Sequence, residues 1–496
     1  MRNVSMMTGA VKREVFHIIH CAALTGTIIF VISLGGGLGE NNSIAFETEE
    51  TLSSWEQYGF FLAAVLYVTR FLTLLCLPLA LFNFWGLVLF NAFPDQPKTK
   101  IFSRRDHVSV PFVCFRVVTK GDFPQLVRNN ILKNRNICEE TGLEHFTFEV
   151  VTDKSISLVT SKKVRELVVP EDYATKSGAL YKSRALQYCL EKEVNNLNDE
   201  DWIVHLDEET LLTSGCIKGI VNFICEGKHH FGQGVITYNN DEVVNLMLTL
   251  CDSIRVADDM GKLQFQLKVM HMPIMGWKGS YVISNVGAER DVSFDHGPRG
   301  SVAEDAYFGL MAASKGYSFG FIEGDMWEKS PFTIKDFLRQ RKRWLQGLLL
   351  VVHSSEIPLR FRILLGCCVY ATATAPLSTL NVFLQPLFPI QISRFVDLCG
   401  CFVGGVIIYM NLYGTFRSYT YSAKHVGIGK LLALFILGFV VQPFKYILEI
   451  IAILWGLVTP KNEFAIVDKN VEQNEMENTV SVVPSDANVT EILVTY

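Results

Sequence analysis

Four small groups of residues could do chemistry. Asp207 and Glu209 close the apolar run in DWIVHLDEET. Side chains two apart in an extended segment point to one side, so both carboxylates can offer oxygens to one hard divalent cation. Asp153 ends the strand-like HFTFEVVTDKS in the same way, although an acid at a strand end is also an ordinary turn residue. Glu304 and Asp305 open a helical pattern in AEDAYFG; a helix N-terminus favours an anion there, and capping is the plain alternative. Last comes RQRKRW, in which Arg339, Arg341, Lys342 and Arg343 lead to Trp344 just before a long apolar stretch. These cations suit an anionic ligand, or the basic flank of a membrane span.

The elements that must position these groups alternate. VSVPFVCFRVVTKG reads as a strand ending in a glycine turn, and FPQLVRNNILKNRNICEETG has helical period. HFTFEVVTDKS is a second strand, KSGALYKSRALQYCLEKEV reads as a helix, and DWIVHLDEET as a strand that stops at its acids. Such alternation predicts an open α/β, Rossmann-like and mostly parallel sheet with ligand bound beyond the carboxyl ends of its strands. Both strand-end acid groups would then reach one edge. In MGWKGSYVISN, glycines interleave with Trp277 and a lysine, a backbone suited to close approach.

The rest of the chain is built for lipid. Of 496 residues 49% are hydrophobic, with 35 phenylalanines and a mean hydropathy of +0.25, which excludes an ordinary soluble protein. Apolar runs at 15–35, 58–93, 363–390, 395–414 and 431–458 are each long enough to cross roughly 30 Å of hydrocarbon. We expect an N-terminal membrane region over 1–97 with spans at about 15–35 and 71–91, a globular domain over 98–358, about three spans over 359–459, and an acidic disordered tail over 460–496. Arg70 is expected to snorkel to the lumenal interface rather than pair inside the bundle. Bases flank the N-terminus and residues 98–105, whereas the loop after the first span holds Glu40, Glu47, Glu49, Glu50 and Glu56; the positive-inside rule then puts the globular domain in the cytosol. The first run lacks a small-residue cleavage site and reads as an uncleaved anchor. Twelve cysteines without zinc-type spacing fit a reduced compartment. Sequons at Asn41 and Asn488 matter only if they face the lumen.

A strand-end Asp153, the Asp207-Glu208-Glu209 motif, Glu304-Asp305 and Gln340-x-x-Arg343-Trp344, in that order and followed by spans, resemble the membrane-bound family-2 glycosyltransferases. The wording from FRVVTKGD through WKGSYVISN to RQRKRW resembles more specifically the invertebrate β-1,4-mannosyltransferases of that family, and the likeness covers about residues 111–351 and the flanking spans. Two positions depart from the family pattern: Glu209 stands where a second Asp is usual, and Ala303 where a Thr precedes the acid pair.

The resemblance implies a glycosyltransferase A-type domain inserted between transmembrane helices, and an inverting transfer of mannose from GDP-mannose to the 4-hydroxyl of glucosylceramide. On this reading Asp305 is the general base and Asp207 and Glu209 hold Mg²⁺ or Mn²⁺. Asp153 contacts the nucleoside, Gln340, Arg343 and Trp344 serve the diphosphate and acceptor, and Lys176, Trp277 and Glu304 also line the substrate site. A planar guanidinium can neutralise the leaving diphosphate through two oxygens, and an indole face can stack on a sugar. A multi-pass protein of the endoplasmic reticulum or Golgi follows, with no role for nucleic acid. A processive polysaccharide synthase, a lipid-glycan transferase using a UDP-sugar, and an inactive scaffold or transporter are the alternatives that the motifs leave open.

Overall fold

The computed structural model describes residues 2–35, 52–98, 111–238, 243–420 and 427–459. The acidic tail, both sequons and most of the acidic loop after the first apolar run lie outside the described residues.

A seven-stranded sheet forms the centre, in the order β3-β2-β1-β4-β6-β5-β7. Its strands are β1 (Val113–Thr119), β2 (Phe146–Thr152), β3 (Val164–Val168), β4 (Trp202–Leu206), β5 (Phe231–Thr237), β6 (Val282–Asn285) and β7 (Phe319–Trp327). β1 to β4 run parallel, as do β5 and β7. β6 lies antiparallel between β4 and β5. The sheet is therefore mostly parallel with one reversed strand. β1 and β4 are buried along nearly their whole length, as strands covered on both faces must be.

Arg116 on β1 is fully buried, with Nε 2.6 Å from Glu149 and Nη1 3.1 Å from Glu289. His205 Nε2 meets the other Glu289 oxygen at 2.6 Å. A charge taken out of water is tolerated when paired and hydrogen-bonded in this way, and the network ties β1, β2 and β4 to α8 (Val286–Val292).

The helix after β1 runs over Pro124–Thr141 and stops at Gly142, whose φ of 87° only glycine adopts freely. Counted in chain order it is α4, after α1 (Arg2–Leu34), α2 (Ser54–Leu72) and α3 (Leu77–Leu89). The segment expected as one helix from KSGALYKSRALQYCLEKEV is helical only over α5 (Tyr181–Tyr188). Positive φ at Gly178 and Tyr181 breaks any earlier helix, and Asp295 holds the preceding loop by accepting from Thr175 Oγ1 at 2.6 Å and Ser177 N at 2.8 Å.

The remaining helices are α6 (Ser214–Glu226), α7 (Leu246–Asp258), α9 (Gly297–Gly300), α10 (Glu304–Ser314), α11 (Ile334–Val352), α12 (Leu359–Ala373), α13 (Ala375–Leu387), α14 (Arg394–Thr420) and α15 (Ile428–Val458). Among the described residues, four helical stretches are long and apolar enough to cross a membrane: Arg13–Leu34, Ser54–Leu89, Arg394–Tyr419 and Ile428–Val458. α12 and α13 pass the same test only as a pair, bent by 66°.

Arg70 does not stand alone, as expected of a snorkelling side chain, but is paired. Its Nη1 lies 2.6 Å from Asp397 in the first turn of α14, because a guanidinium among apolar helices is stabilised by an ionic partner. The sheet domain is clamped onto these helices by close backbone approach: a Cβ on Gly86 of α3 would lie 1.9 Å from Gly261 O, and one on Gly414 of α14 would lie 2.1 Å from Ser253 O. Arg417 of α14 pairs with Asp325 of β7 at 2.8 Å.

Candidate active site

β4 ends at Leu206, and the acids follow in a tight turn. α4 holds that turn from one side: Asn130 Nδ2 donates to Glu208 O at 2.9 Å, Asn134 Nδ2 to Thr210 O at 2.9 Å, and Leu212 N to Asn134 Oδ1 at 2.8 Å. Glu208 turns back to β1, accepting from Thr119 Oγ1 at 2.5 Å. A third acid supports the turn from behind. Thr210 Oγ1 donates to Glu328 at 2.9 Å and accepts from Asp207 N at 3.2 Å, with Ser280 Oγ 2.9 Å from the same hydroxyl. Burial, then the charges of Asp207 and Glu209, push the Glu328 carboxyl up to about 7.

Asp207 meets the acid pair of α10 through a lysine. Lys182 of α5 places Nζ 2.6 Å from Asp207 Oδ1 and 4.0 Å from Glu304 Oε1, and donates to Gly279 O at 3.2 Å. Burial works against its charge, but Asp207 and Glu304 more than offset that, so the ammonium is held above the ordinary lysine range. Burial and the neighbouring Asp305 raise Glu304 to about 7, against Lys182 and Arg343. Asp305 is raised too, by burial first, while the Ala306 N–H, Lys182 and Arg343 oppose the rise. That N–H reaches Asp305 Oδ1 at 2.7 Å. Lys182, Trp277, Gly279, Glu304 and Asp305 line one cleft, floored by Leu186, Phe294 and Phe308.

Trp277 is 6% exposed and packs edge-on against Phe319 at 4.9 Å, so it forms wall more than platform. The glycine-rich MGWKGSYVISN stretch approaches the protein's own Lys182 and Asp305 at Gly279.

The RQRKRW cluster divides. Arg341 turns toward the membrane helices, with Nε 3.0 Å from Glu449 of α15 and a further ion pair to Asp252 of α7. Lys342 Nζ lies 4.5 Å from the centre of the Trp455 ring. Arg343 acts on Glu304 and Asp305. The Trp344 ring faces the guanidiniums of Arg341 at 4.4 Å and Arg255 at 4.7 Å, and Gln340 Oε1 accepts from Arg341 at 2.8 Å. Asp153 lies beyond β1, two strand spacings or roughly 10 Å from Asp207, and accepts from Arg184 at 2.8 Å. Lys176 is exposed in the loop before α5.

The structure thus gathers Asp207, Glu304, Asp305 and Arg343, leaves Asp153 two strands away at the end of β2, and adds Lys182 and Glu328. Neither addition has a local signal: Lys182 sits in an ordinary basic helix, and Glu328 follows a strand as turn acids often do.

Among the described residues no three His, Cys, Asp or Glu side chains form a ready metal cluster. Asp207 and Glu209 nonetheless fit part of the oxygen shell of a hard divalent cation, which usually completes it with water and phosphate. The charge they impose on Glu328 is what a cation would relieve.

A sheet of this order, with acids at its carboxyl edge, is a glycosyltransferase A-type sheet, and helices long and apolar enough to cross a membrane precede and follow it in the chain. Residues 202–458 match the model of glycosyl transferase family group 2. The chain is 51% identical to β-1,4-mannosyltransferase egh of Drosophila melanogaster, over 92% of this chain and 97% of that one. It is 50% identical to β-1,4-mannosyltransferase bre-3 of Caenorhabditis elegans, over 92% and 99%. The protein belongs to the family-2 glycosyltransferases and, within them, to the β-1,4-mannosyltransferases. Among solved structures, S. aureus TarS 1–349 aligns at 11% identity and a TM-score of 0.29, covering 72% of this chain and 94% of that one.

Proposed function

We propose that the protein transfers mannose from GDP-mannose to the 4-hydroxyl of glucosylceramide, with inversion at the anomeric carbon. The observation that supports this is Lys182, which lines one cleft with Glu304 and Asp305 and pairs with Asp207 at 2.6 Å. Asp305 takes the proton from the acceptor hydroxyl as its oxygen attacks; the new glycosidic bond forms as the bond from the anomeric carbon to the diphosphate breaks, and GDP leaves with the electron pair. The charge at Arg343 acts on this acid pair and, after the Ala306 N–H and Lys182, opposes the rise that burial imposes on Asp305. It also offers a bidentate partner to the departing phosphate. Asp207 and Glu209 hold Mg²⁺ or Mn²⁺, which when bound neutralises charge developing on the diphosphate. Asp153 contacts the nucleoside, while Gln340 and Trp344 border the acceptor, Trp277 walls the cleft, and Lys176 meets substrate from its exposed loop.

The protein sits in the endoplasmic reticulum or Golgi membrane with the sheet domain in the cytosol, where its donor is available. α11 carries Arg343 and at the same time contacts α15 through Arg341, which supports a cleft near the bilayer and a lipid acceptor. The test is a donor screen: purified protein, glucosylceramide, and GDP-mannose, UDP-glucose or UDP-N-acetylglucosamine in turn, reading nucleotide release and lipid product. Consumption of GDP-mannose with a mannosyl lipid product is expected. Preference for a UDP-sugar, or release of polymer, would replace this reading with one of its alternatives.

A further inference from the structure

We infer that Lys182 and the divalent cation compete for Asp207, so that the cation enters only together with the diphosphate of the donor. The inference rests on Asp207 and Glu209 being the cation's ligands. Lys182 Nζ is 2.6 Å from Asp207 Oδ1, with the lysine side chain 16% and the aspartate 40% exposed, so the ammonium is held inside the protein while the carboxylate stays open to an arriving cation. A second cation on the same carboxylate meets the repulsion of the first at a separation of a few ångströms.

The lysine has somewhere to go. Its nitrogen also donates to Gly279 O at 3.2 Å, and Glu304 Oε1 stands 4.0 Å away. A Cβ at position 279 would come within 3.2 Å of that nitrogen and 3.4 Å of Asp305 Oδ2, so the glycine leaves the space through which the ammonium can shift. Keeping its bond to Gly279 O, Lys182 can give up Asp207 and settle on the Glu304–Asp305 pair. A bare cation must force this exchange against its own charge. A cation arriving with a diphosphate brings compensating negative charge and does not. Lys182 is therefore a positioning residue: donor binding moves one positive charge from the cation turn to the acid pair that carries the base.

The experiment measures Mn²⁺ binding by electron paramagnetic resonance to the full chain in nanodiscs, with and without GDP. Wild type is expected to bind Mn²⁺ far more tightly with GDP than without. Lys182→Met should bind Mn²⁺ alone about tenfold more tightly than wild type, the factor that one charged hydrogen bond is worth, and should gain less from GDP. Lys182→Arg, which keeps the charge, should behave as wild type, and Lys182→Gln should follow Lys182→Met. Thermal melts identify any misfolded variant. Equal Mn²⁺ affinity of wild type with and without GDP overturns the inference, as does a folded Lys182→Met that binds Mn²⁺ alone no better than wild type. If no protein binds Mn²⁺ even with GDP, the assignment of Asp207 and Glu209 has failed, and the inference falls with it.

Discussion

Arg70 of α2 and Asp397 of α14, far apart in the chain, form an ion pair at 2.6 Å, with the arginine side chain 9% and the aspartate 34% exposed. A lone charge left behind in such a place is costly, whereas an apolar pair of similar size is tolerated. Arg70→Leu should therefore lower unfolding stability in detergent by less than the ~3–5 kcal/mol of a fully buried pair, given the exposure of Asp397. The double variant Arg70→Leu/Asp397→Leu should recover most of the loss. Additive losses in this cycle would show that the two side chains act independently.

At Asp305, chemistry and capping can be separated. Asn retains an oxygen for the Ala306 N–H that Asp305 accepts at 2.7 Å, but cannot take the acceptor proton. Asp305→Asn should reduce transfer by at least roughly a hundredfold, with donor affinity and melting temperature near wild type. Near-normal turnover would remove Asp305 as the base, and joint loss of stability and donor binding would reduce it to a helix-start residue.

For the cation turn, Asp207→Ala should abolish both transfer and metal-dependent nucleotide binding. Glu209→Asp keeps a carboxylate one methylene shorter and should retain measurable transfer. Both are read by product formation and by GDP binding with and without Mn²⁺. Full wild-type activity in excess chelator would sink the metal assignment.

Glu304 makes a prediction about pH. Its folded pKa is raised from 4.5 to about 7, so between those values the folded protein binds the proton that the unfolded chain has released. The associated stability is complete below the unfolded value and is lost as pH rises through 7. Melting temperature of the ligand-free protein should thus fall from about pH 5 to about pH 8, and Glu304→Gln should flatten that fall. An unchanged slope in the variant would assign it to other groups.

Membrane orientation is tested directly. Protease added to sealed microsomes should destroy residues 98–358 and spare the acidic loop at 36–57. Protection of the sheet domain would reverse the orientation and deny it a cytosolic donor.

What the amino-acid order settled by itself was local. Periodicity and abrupt acids placed the ends of β2 and β4, the head of α10 and the apolar helices, because side-chain direction repeats at fixed intervals along each element. The order of Asp207, Glu304–Asp305 and the Gln340–Trp344 stretch was enough to suggest the family, since those residues occupy strand and helix ends whose positions the fold class dictates.

Tertiary structure decided which charges meet. Lys182 and Asp207 are joined through a sheet crossing, Glu328 reaches the same turn from β7, and Arg341 and Arg343, two residues apart, serve different partners because a helix turns them to different sides. The start of α5 and the pairing of Arg70 were misread for the same reason. Asp295 and Asp397 lie far along the chain, and a charged side chain takes its place from the partner that folding brings near, which no local pattern records.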